Sequence, residues 1–269
     1  MPSPAPLAPL RFDVNLGWLF TELPFERRFE AAAQAGFTAV EYASPYEYTP
    51  DFLIGCLNDA GLEQVLINTP AGAPGSATGY GAACLPDRVG EFREGLLRAL
   101  EYAVALDAGV IHVMGGIRPS EVARDYALAT YIANIGWAVE QAASTGVTLA
   151  LEAINQRDAP GFILRSIDEA AAVVRALGTS RLGVLFDIYH CQITDGDLAV
   201  RLTDLMPITA HIQIAEPPAR SEPGTGEIAW EFVFEHIRSL GYVGWIGCEY
   251  RPGGGTLEGL GWRERFGVA

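Results

Sequence analysis

The sequence predicts a single-domain α/β protein folded as a closed (β/α)8 barrel. Three observations point there: the chain has 269 residues, about the length of one large α/β domain; short apolar strands alternate with amphipathic helical stretches from end to end; and eight such units can be counted. Hydrophobic residues make up 49% of the chain, enough for a substantial core.

The first strand is expected at Arg11–Leu16, followed by a helix around Pro24–Ala35 in which Phe25, Phe29 and Ala32 recur at helical spacing and Gly36 supplies a left-handed stop. Strands two and three are expected at Ala39–Tyr42 and Gln64–Asn68, with a helix near Asp51–Ala60 between them. The long Gly-, Ala- and Pro-rich loop after Asn68 should cover a binding site, the usual role of such a loop in a compact domain. The pattern continues with a helix at Pro86–Leu106, a strand at Val110–Met114, a helix at Val122–Ser144 and a strand at Thr148–Glu152. A helix at Ser166–Leu177, a strand at Leu182–Asp187 and a short helix near Asp197–Leu205 come next. Strands at Ile208–Ile214 and Trp245–Glu249 complete the eight, with helices at Trp230–Leu240 and Leu257–Arg265. An open doubly wound sheet would show a Gly-rich phosphate turn after its first strand, and Asn15-Leu16-Gly17-Trp18-Leu19 is not one. Residues 1–10, rich in Pro and Ala, read as a flexible tail before a barrel spanning 11–269.

Composition removes several classes of function. A net charge of −15 opposes binding to nucleic acid or anionic lipid, which need a positive field. All 18 basic residues are arginine, which excludes Schiff-base lysine chemistry and a P-loop lysine. The four cysteines, Cys56, Cys84, Cys191 and Cys248, form no CxxC pair, so reduced thiols are expected. With neither a membrane-length apolar run nor a secretory signal in the opening residues, a cytoplasmic location is expected. The aromatic loop Tyr42–Tyr48 permits a homo-oligomer.

Four consecutive strands end in a metal-capable side chain: Glu152 in LALEAIN, Asp187 in GVLFDIYH, Gln213 in AHIQIAE and Glu249 in WIGCEY. A carboxylate at the end of a buried strand is costly unless paired, hydrogen-bonded or bound to a cation. On neighbouring barrel strands the four converge above the core, where active sites of such barrels lie. The alternative is that they cap strands or pair with arginines. Three carboxylates and an amide oxygen form a hard set suited to one divalent ion, Mg²⁺ or Mn²⁺ before zinc.

Over almost its whole length the chain resembles the hydroxypyruvate isomerase family, within the xylose isomerase-like TIM barrel superfamily. The segments that carry the resemblance are NTPAG at 68–72, LEAIN at 151–155, FDIYH at 186–190, HIQIAEPP at 211–218 and SEPGTGEI at 221–228. Ala153 stands where the family usually has proline. The resemblance implies that Glu152, Asp187, Gln213 and Glu249 bind the metal and that Glu152 and Glu249 also move protons. The implied reaction interconverts hydroxypyruvate and tartronate semialdehyde through a cis-enediolate, whose charge a divalent cation stabilises. Hydride transfer is disfavoured, because hydride-shifting sugar isomerases resemble two-metal sites.

Expected substrate contacts are His190, Arg220, Asn68, His211 and Asp158. Arg220 is preferred to Arg251 as partner of a substrate carboxylate, since arginine grips that group with two parallel bonds. His211, two residues before Gln213, should point the same way along the strand, either to orient a ligand or to fill the barrel below. His112 should line the mouth, and His236 has no expected role. Two close alternatives are a 2-oxo-tetronate isomerase with a longer pocket and a ketose 3-epimerase, although the epimerases carry His where Gln213 stands. A DNA-repair endonuclease of this fold resembles a His-rich three-zinc site, at odds with four histidines and the acidic charge. A noncatalytic binding barrel is the remaining class.

Overall fold

In a computed structural model of the protein, which describes residues 8–268, eight parallel strands pair in chain order and the last closes on the first. They are β1 Arg11–Asn15, β2 Ala39–Glu41, β3 Glu63–Asn68, β4 Val110–His112, β5 Thr148–Glu152, β6 Leu182–Asp187, β7 Thr209–Ile214 and β8 Trp245–Cys248. Closure is set by Arg11↔Trp245, Phe12↔Ile246, Asp13↔Gly247 and Val14↔Cys248. The helices are α1 Phe25–Gln34, α2 Pro50–Ala60, α3 Val89–Ala105, α4 Arg124–Ala142, α5 Ile167–Leu177, α6 Ile188–Thr194, α7 Leu198–Leu205, α8 Trp230–Ser239 and α9 Trp262–Arg265. The expected (β/α)8 barrel is therefore the fold. The expected flexible tail falls mostly on residues outside those described.

Strand alternation sorts the side chains. Phe12, Val14, Val40, Ile67, Ile111, Leu149, Leu151, Val184, Phe186, Ile212, Ile214 and Ile246 join one large core with the helices. Ala39, Leu66, Ala150 and Leu185 belong to a separate small cluster. Two residues on from these, on the same face and nearer the C-terminal strand ends, stand Glu41, Asn68, Glu152 and Asp187. The same step of two leads from Asp13 to Asn15, from His211 to Gln213 and from Gly247 to Glu249. The barrel interior thus passes from an apolar layer to a polar one at the end where active sites of this fold lie.

The structure departs from the sequence expectations after β6. A further helix, α6, begins at once, because Asp187 caps it: its Oδ1 accepts from the N–H of Tyr189 at 2.7 Å and of His190 at 3.2 Å. The last expected helix is broken into a 3-10 turn at Glu258–Leu260 and the short α9. There Trp262 packs on Phe12 and Phe234 and donates to Tyr250 Oη at 2.9 Å. Gly36 ends α1 with φ of +84°, as expected. The long loop after Asn68 packs on the end of β4, where Cys84 N–H donates to Gly115 C=O at 2.9 Å. All four cysteines are free. No helix among the described residues is long and apolar enough to cross a membrane.

Candidate active site

Of the four strand-end residues, Glu152 and Asp187 meet directly at the C-terminal mouth of the barrel. Glu152, Asp187 and His190, all buried, offer ligand atoms that lie within 4.8 Å of one another. A second buried triad, Asp13, Glu41 and His211, meets the same criterion one step deeper. Either triad can hold a divalent metal. In the upper one the third member is His190, expected as a substrate contact and not as a donor, whose Nε2 is 3.7 Å from both Glu152 Oε1 and Asp187 Oδ2.

Glu249 is joined to this group through Arg220. The Arg220 Nη2 donates to Glu249 Oε2 in a very short contact and to Asp187 Oδ2 at 3.5 Å, while Nη1 lies 3.3 Å from His190 Nε2. The guanidinium also sits over the rings of Trp18, at 4.4 Å, and Tyr189, at 5.0 Å. Since Asp187 spends Oδ1 on the α6 cap, Oδ2 is the oxygen it turns to the site. Glu152 Oε1 is buried without a hydrogen-bond partner, and its Oε2 stands 3.4 Å from His112 Nε2. Oxygen-rich donors gathered this tightly, one of them orphaned, fit a hard divalent cation.

The electrostatics follow from crowding. Burial, then the charges of Asp187 and Glu249, push the Glu152 carboxyl well above its ordinary value. Burial raises Glu249 to about 8 against the pull of Arg220, and Asp187 to about 6 against Arg220 and the capping N–H groups. Arg220 is raised: burial works against its charge, but Glu249, Asp187 and Glu152 together outweigh it. Burial holds His112 down to about 4 and His190 well below its usual value. His190 Nδ1 accepts from the Asn155 backbone N–H at 3.3 Å, while Nε2 faces the two carboxylates and the Arg220 guanidinium.

Below this group lies a buried network. Glu41 Oε1 accepts from Gln213 Nε2 at 2.7 Å and from Asn15 Nδ2 at 2.9 Å, and its Oε2 pairs with His211 Nε2 at 2.8 Å. Burial opposes the Glu41 charge, yet His211 and the two amides outweigh it and the pKa is lowered. Asp13, with neither oxygen hydrogen-bonded, is raised well above the carboxylate range by burial and by the neighbouring Glu41 charge. His211, expected as a substrate contact, is thus buried beneath the mouth and engaged by Glu41.

The remaining expected residues divide. Asp158 accepts from Tyr189 Oη at 2.7 Å and Asn155 Nδ2 at 3.1 Å, and so holds two residues that themselves touch Arg220 and His190. Asn68 Nδ2 faces Met114 Sδ at 3.3 Å and the Asn68 C=O accepts from Tyr46 Oη, so its side-chain nitrogen and its carbonyl are engaged within its own part of the barrel rim. Arg251 is exposed and sits over the Trp18 ring at 5.4 Å. Sequence reasoning missed Glu41, Asn15, Asp13, Trp18, Tyr189 and Asn155.

Arg220 is carried by a loop with its own anchor. Glu216, fully buried at the end of β7, accepts from the N–H of Gly224 and of Ile228, each at 2.9 Å, and from Trp230 Nε1. Glu216 and Ser221 also exchange backbone bonds, which turns the chain so that Arg220 adopts φ of +55°. Gly226 passes so close to Pro217 and Glu216 that a Cβ there would lie 2.1 Å from the Pro217 carbonyl oxygen. Glu216→Ala is therefore expected to cost about 3 kcal/mol, because it strands two buried donors and a part-buried one, and to raise KM by loosening Arg220. Chemical denaturation and steady-state kinetics read the two effects; an unchanged midpoint would contradict the anchoring role.

Residues 29–266 match the family described as Xylose isomerase-like TIM barrel. The chain belongs to this family. As a xylose isomerase-like barrel it is 45% identical to the 2-oxo-tetronate isomerase of Cupriavidus necator, over 95% of this chain and 98% of that protein. It is 39% identical to the hydroxypyruvate isomerase of Escherichia coli, over 96% and 99% respectively. A crystal structure titled as an AP endonuclease, family 2, from Brucella melitensis superposes on it with a TM-score of 0.91 and 38% identity, covering 96% of this chain and 99% of that one.

Proposed function

We propose that this xylose isomerase-like barrel is a divalent-cation-dependent isomerase of a small 2-oxo acid with a hydroxyl on C3, and that its substrate is a 2-oxo-tetronate. The observation that carries the reading is Arg220: a guanidinium stacked on Trp18 and Tyr189, suited to a substrate carboxylate, beside two glutamates that can move protons. The four-carbon substrate replaces hydroxypyruvate as the first reading because the relative that bears its name is the more similar of the two, at 45% against 39% identity. Hydroxypyruvate differs only by a hydrogen in place of the hydroxymethyl group on C3, so the same residues would serve it.

The reaction relocates protons without net oxidation. The C3–H bond breaks and its proton passes to a carboxylate; a proton is delivered to C2, and the O3 hydroxyl proton leaves as O2 gains one. A 2-oxo-3-hydroxy acid thereby becomes a 2-hydroxy-3-oxo acid. A divalent cation held by Glu152, Asp187, Gln213 and Glu249 would supply the positive charge that stabilises the enediolate between the two. Glu152 and Glu249 are the proton carriers in this reading; burial and neighbouring carboxylates raise the proton affinity of both in the cation-free site. His190, kept neutral by burial, turns Nε2 towards the site, where it would meet a substrate oxygen once Arg220 has moved to the substrate carboxylate. Arg220 holds the carboxylate at the other end, and the loop fastened by Glu216 keeps it there.

The test is to strip the protein of metal and assay a 2-oxo-tetronate and hydroxypyruvate before and after adding Mg²⁺ or Mn²⁺. Activity restored by metal, with the higher kcat/KM for the four-carbon acid, is expected. A preference for hydroxypyruvate would return the three-carbon reading, and no turnover of either acid with any metal would refute both.

Protons and the cation compete for the same oxygens. The carboxyls of Asp187 and Glu249 hold protons up to about 6 and about 8, above their ordinary values, so a cation binding at lower pH must displace them. Mn²⁺ affinity should accordingly rise with pH, by roughly tenfold or more between pH 6 and 8. Calorimetry in buffers of different ionisation enthalpy reads both the affinity and the protons released; a flat profile without proton release would count against this site.

A further inference from the structure

Gln213 is the weakest of the proposed donors on chemical grounds: it is uncharged, and its amide can turn either end to the cation. Only the oxygen can bind a hard ion, and an amide turned the wrong way offers two N–H groups instead. What fixes it lies underneath. Gln213 Nε2 is 2.7 Å from Glu41 Oε1, and a carboxylate oxygen can accept from that nitrogen but has nothing to offer the amide oxygen. No hydrogen bond among the described residues engages Gln213 Oε1.

Glu41 is itself held from several sides. It is fully buried, with His211 Nε2 2.8 Å from Oε2 and Asn15 Nδ2 2.9 Å from Oε1. Asn15 Nδ2 also lies 3.2 Å from Glu249 Oε1, so the network touches two of the four proposed ligands. The facing position on β8 is Gly247, where a Cβ would stand 2.6 Å from both Glu41 oxygens. A side chain there is incompatible with the carboxylate where it now sits.

We infer that Glu41 is a positioning residue: it commits the nitrogen of the Gln213 amide downward, leaving the oxygen for the metal site, and steadies Glu249 through Asn15. The inference rests on the proposed reading of Gln213 as a cation ligand. Glu41 touches neither substrate nor the reacting atoms in this scheme.

The experiment measures Mn²⁺ binding to the metal-free protein by calorimetry, without turnover, for wild type, Glu41→Ala, Gln213→Ala and the double variant. Groups behind metal ligands commonly contribute 10- to 100-fold in affinity, and a loss of that size is expected for Glu41→Ala. In the Gln213→Ala background most of that loss should vanish, because Glu41 then has no amide to orient; a purely electrostatic or structural role would give the same loss in both. Should Glu41→Ala fail to fold, Gly247→Ala keeps the Glu41 charge while displacing its oxygens, and the same weakening and the same dependence on Gln213 are expected. Wild-type affinity in Glu41→Ala, or equal losses in both backgrounds, overturns the inference alone. A wild-type protein that binds no Mn²⁺ overturns the proposed function as well.

Discussion

Glu152→Gln is expected to lower kcat for the isomerisation by roughly 10²- to 10⁴-fold, the usual contribution of a positioned acid or base. Glu249→Gln should fall in the same range, and the double variant should lose little more, since groups acting in one proton relay are not additive. Folding should not account for the loss. Burial and the charges of Asp187 and Glu249 favour the protonated form of the Glu152 carboxyl in the metal-free protein, and glutamine reproduces that neutral shape. The melting temperature of Glu152→Gln in chelator should therefore match or exceed that of wild type. Steady-state kinetics at saturating Mn²⁺ and a thermal melt check the pair of results; a kcat above a tenth of wild type would remove Glu152 from the proton transfer.

Arg220→Ala should reduce kcat/KM by roughly 10²- to 10³-fold, chiefly through KM, because two charge-assisted bonds to the substrate carboxylate are worth about 1.5–3 kcal/mol each. Lysine should recover little of this. The planar fork stacks on Trp18 and Tyr189 and presents parallel N–H groups, and an ammonium does neither. Kinetics of both variants with the 2-oxo acid give the answer. An unchanged KM in Arg220→Ala would mean that the guanidinium only balances Asp187 and Glu249.

The barrel and the upper group were legible in the sequence because each strand-end residue interrupts an apolar run. Glu152 follows Leu149-Ala150-Leu151 and Asp187 follows Val184-Leu185-Phe186, so their carboxylates stand out as costs that need a purpose. Glu41 left a weaker trace. Its strand is only three residues long and runs into an aromatic loop, although the step of two from Ala39 is the same one that leads from Ala150 to Glu152. Asp13 and Asn15 alternate with Phe12 and Val14, a pattern that in most strands marks a face turned to water; here both faces are buried and the polar one lines the barrel. Helix α6 was hidden because its cap is Asp187, whose side chain already had a reason to be there. The stacking of Arg220 on Trp18 joins residues about 200 positions apart, and nothing local encodes it.

The cation site is the claim on which the rest depends, and the upper and lower triads offer it two distinct addresses. A crystal grown from metal-free protein and soaked with Mn²⁺, with data collected for manganese anomalous scattering, distinguishes them. One peak is expected, at about 2.1 Å from oxygens of Glu152, Asp187, Gln213 and Glu249, with Arg220 withdrawn from the carboxylates. A peak held instead by Asp13, Glu41 and His211, or none at either place, would contradict that expectation.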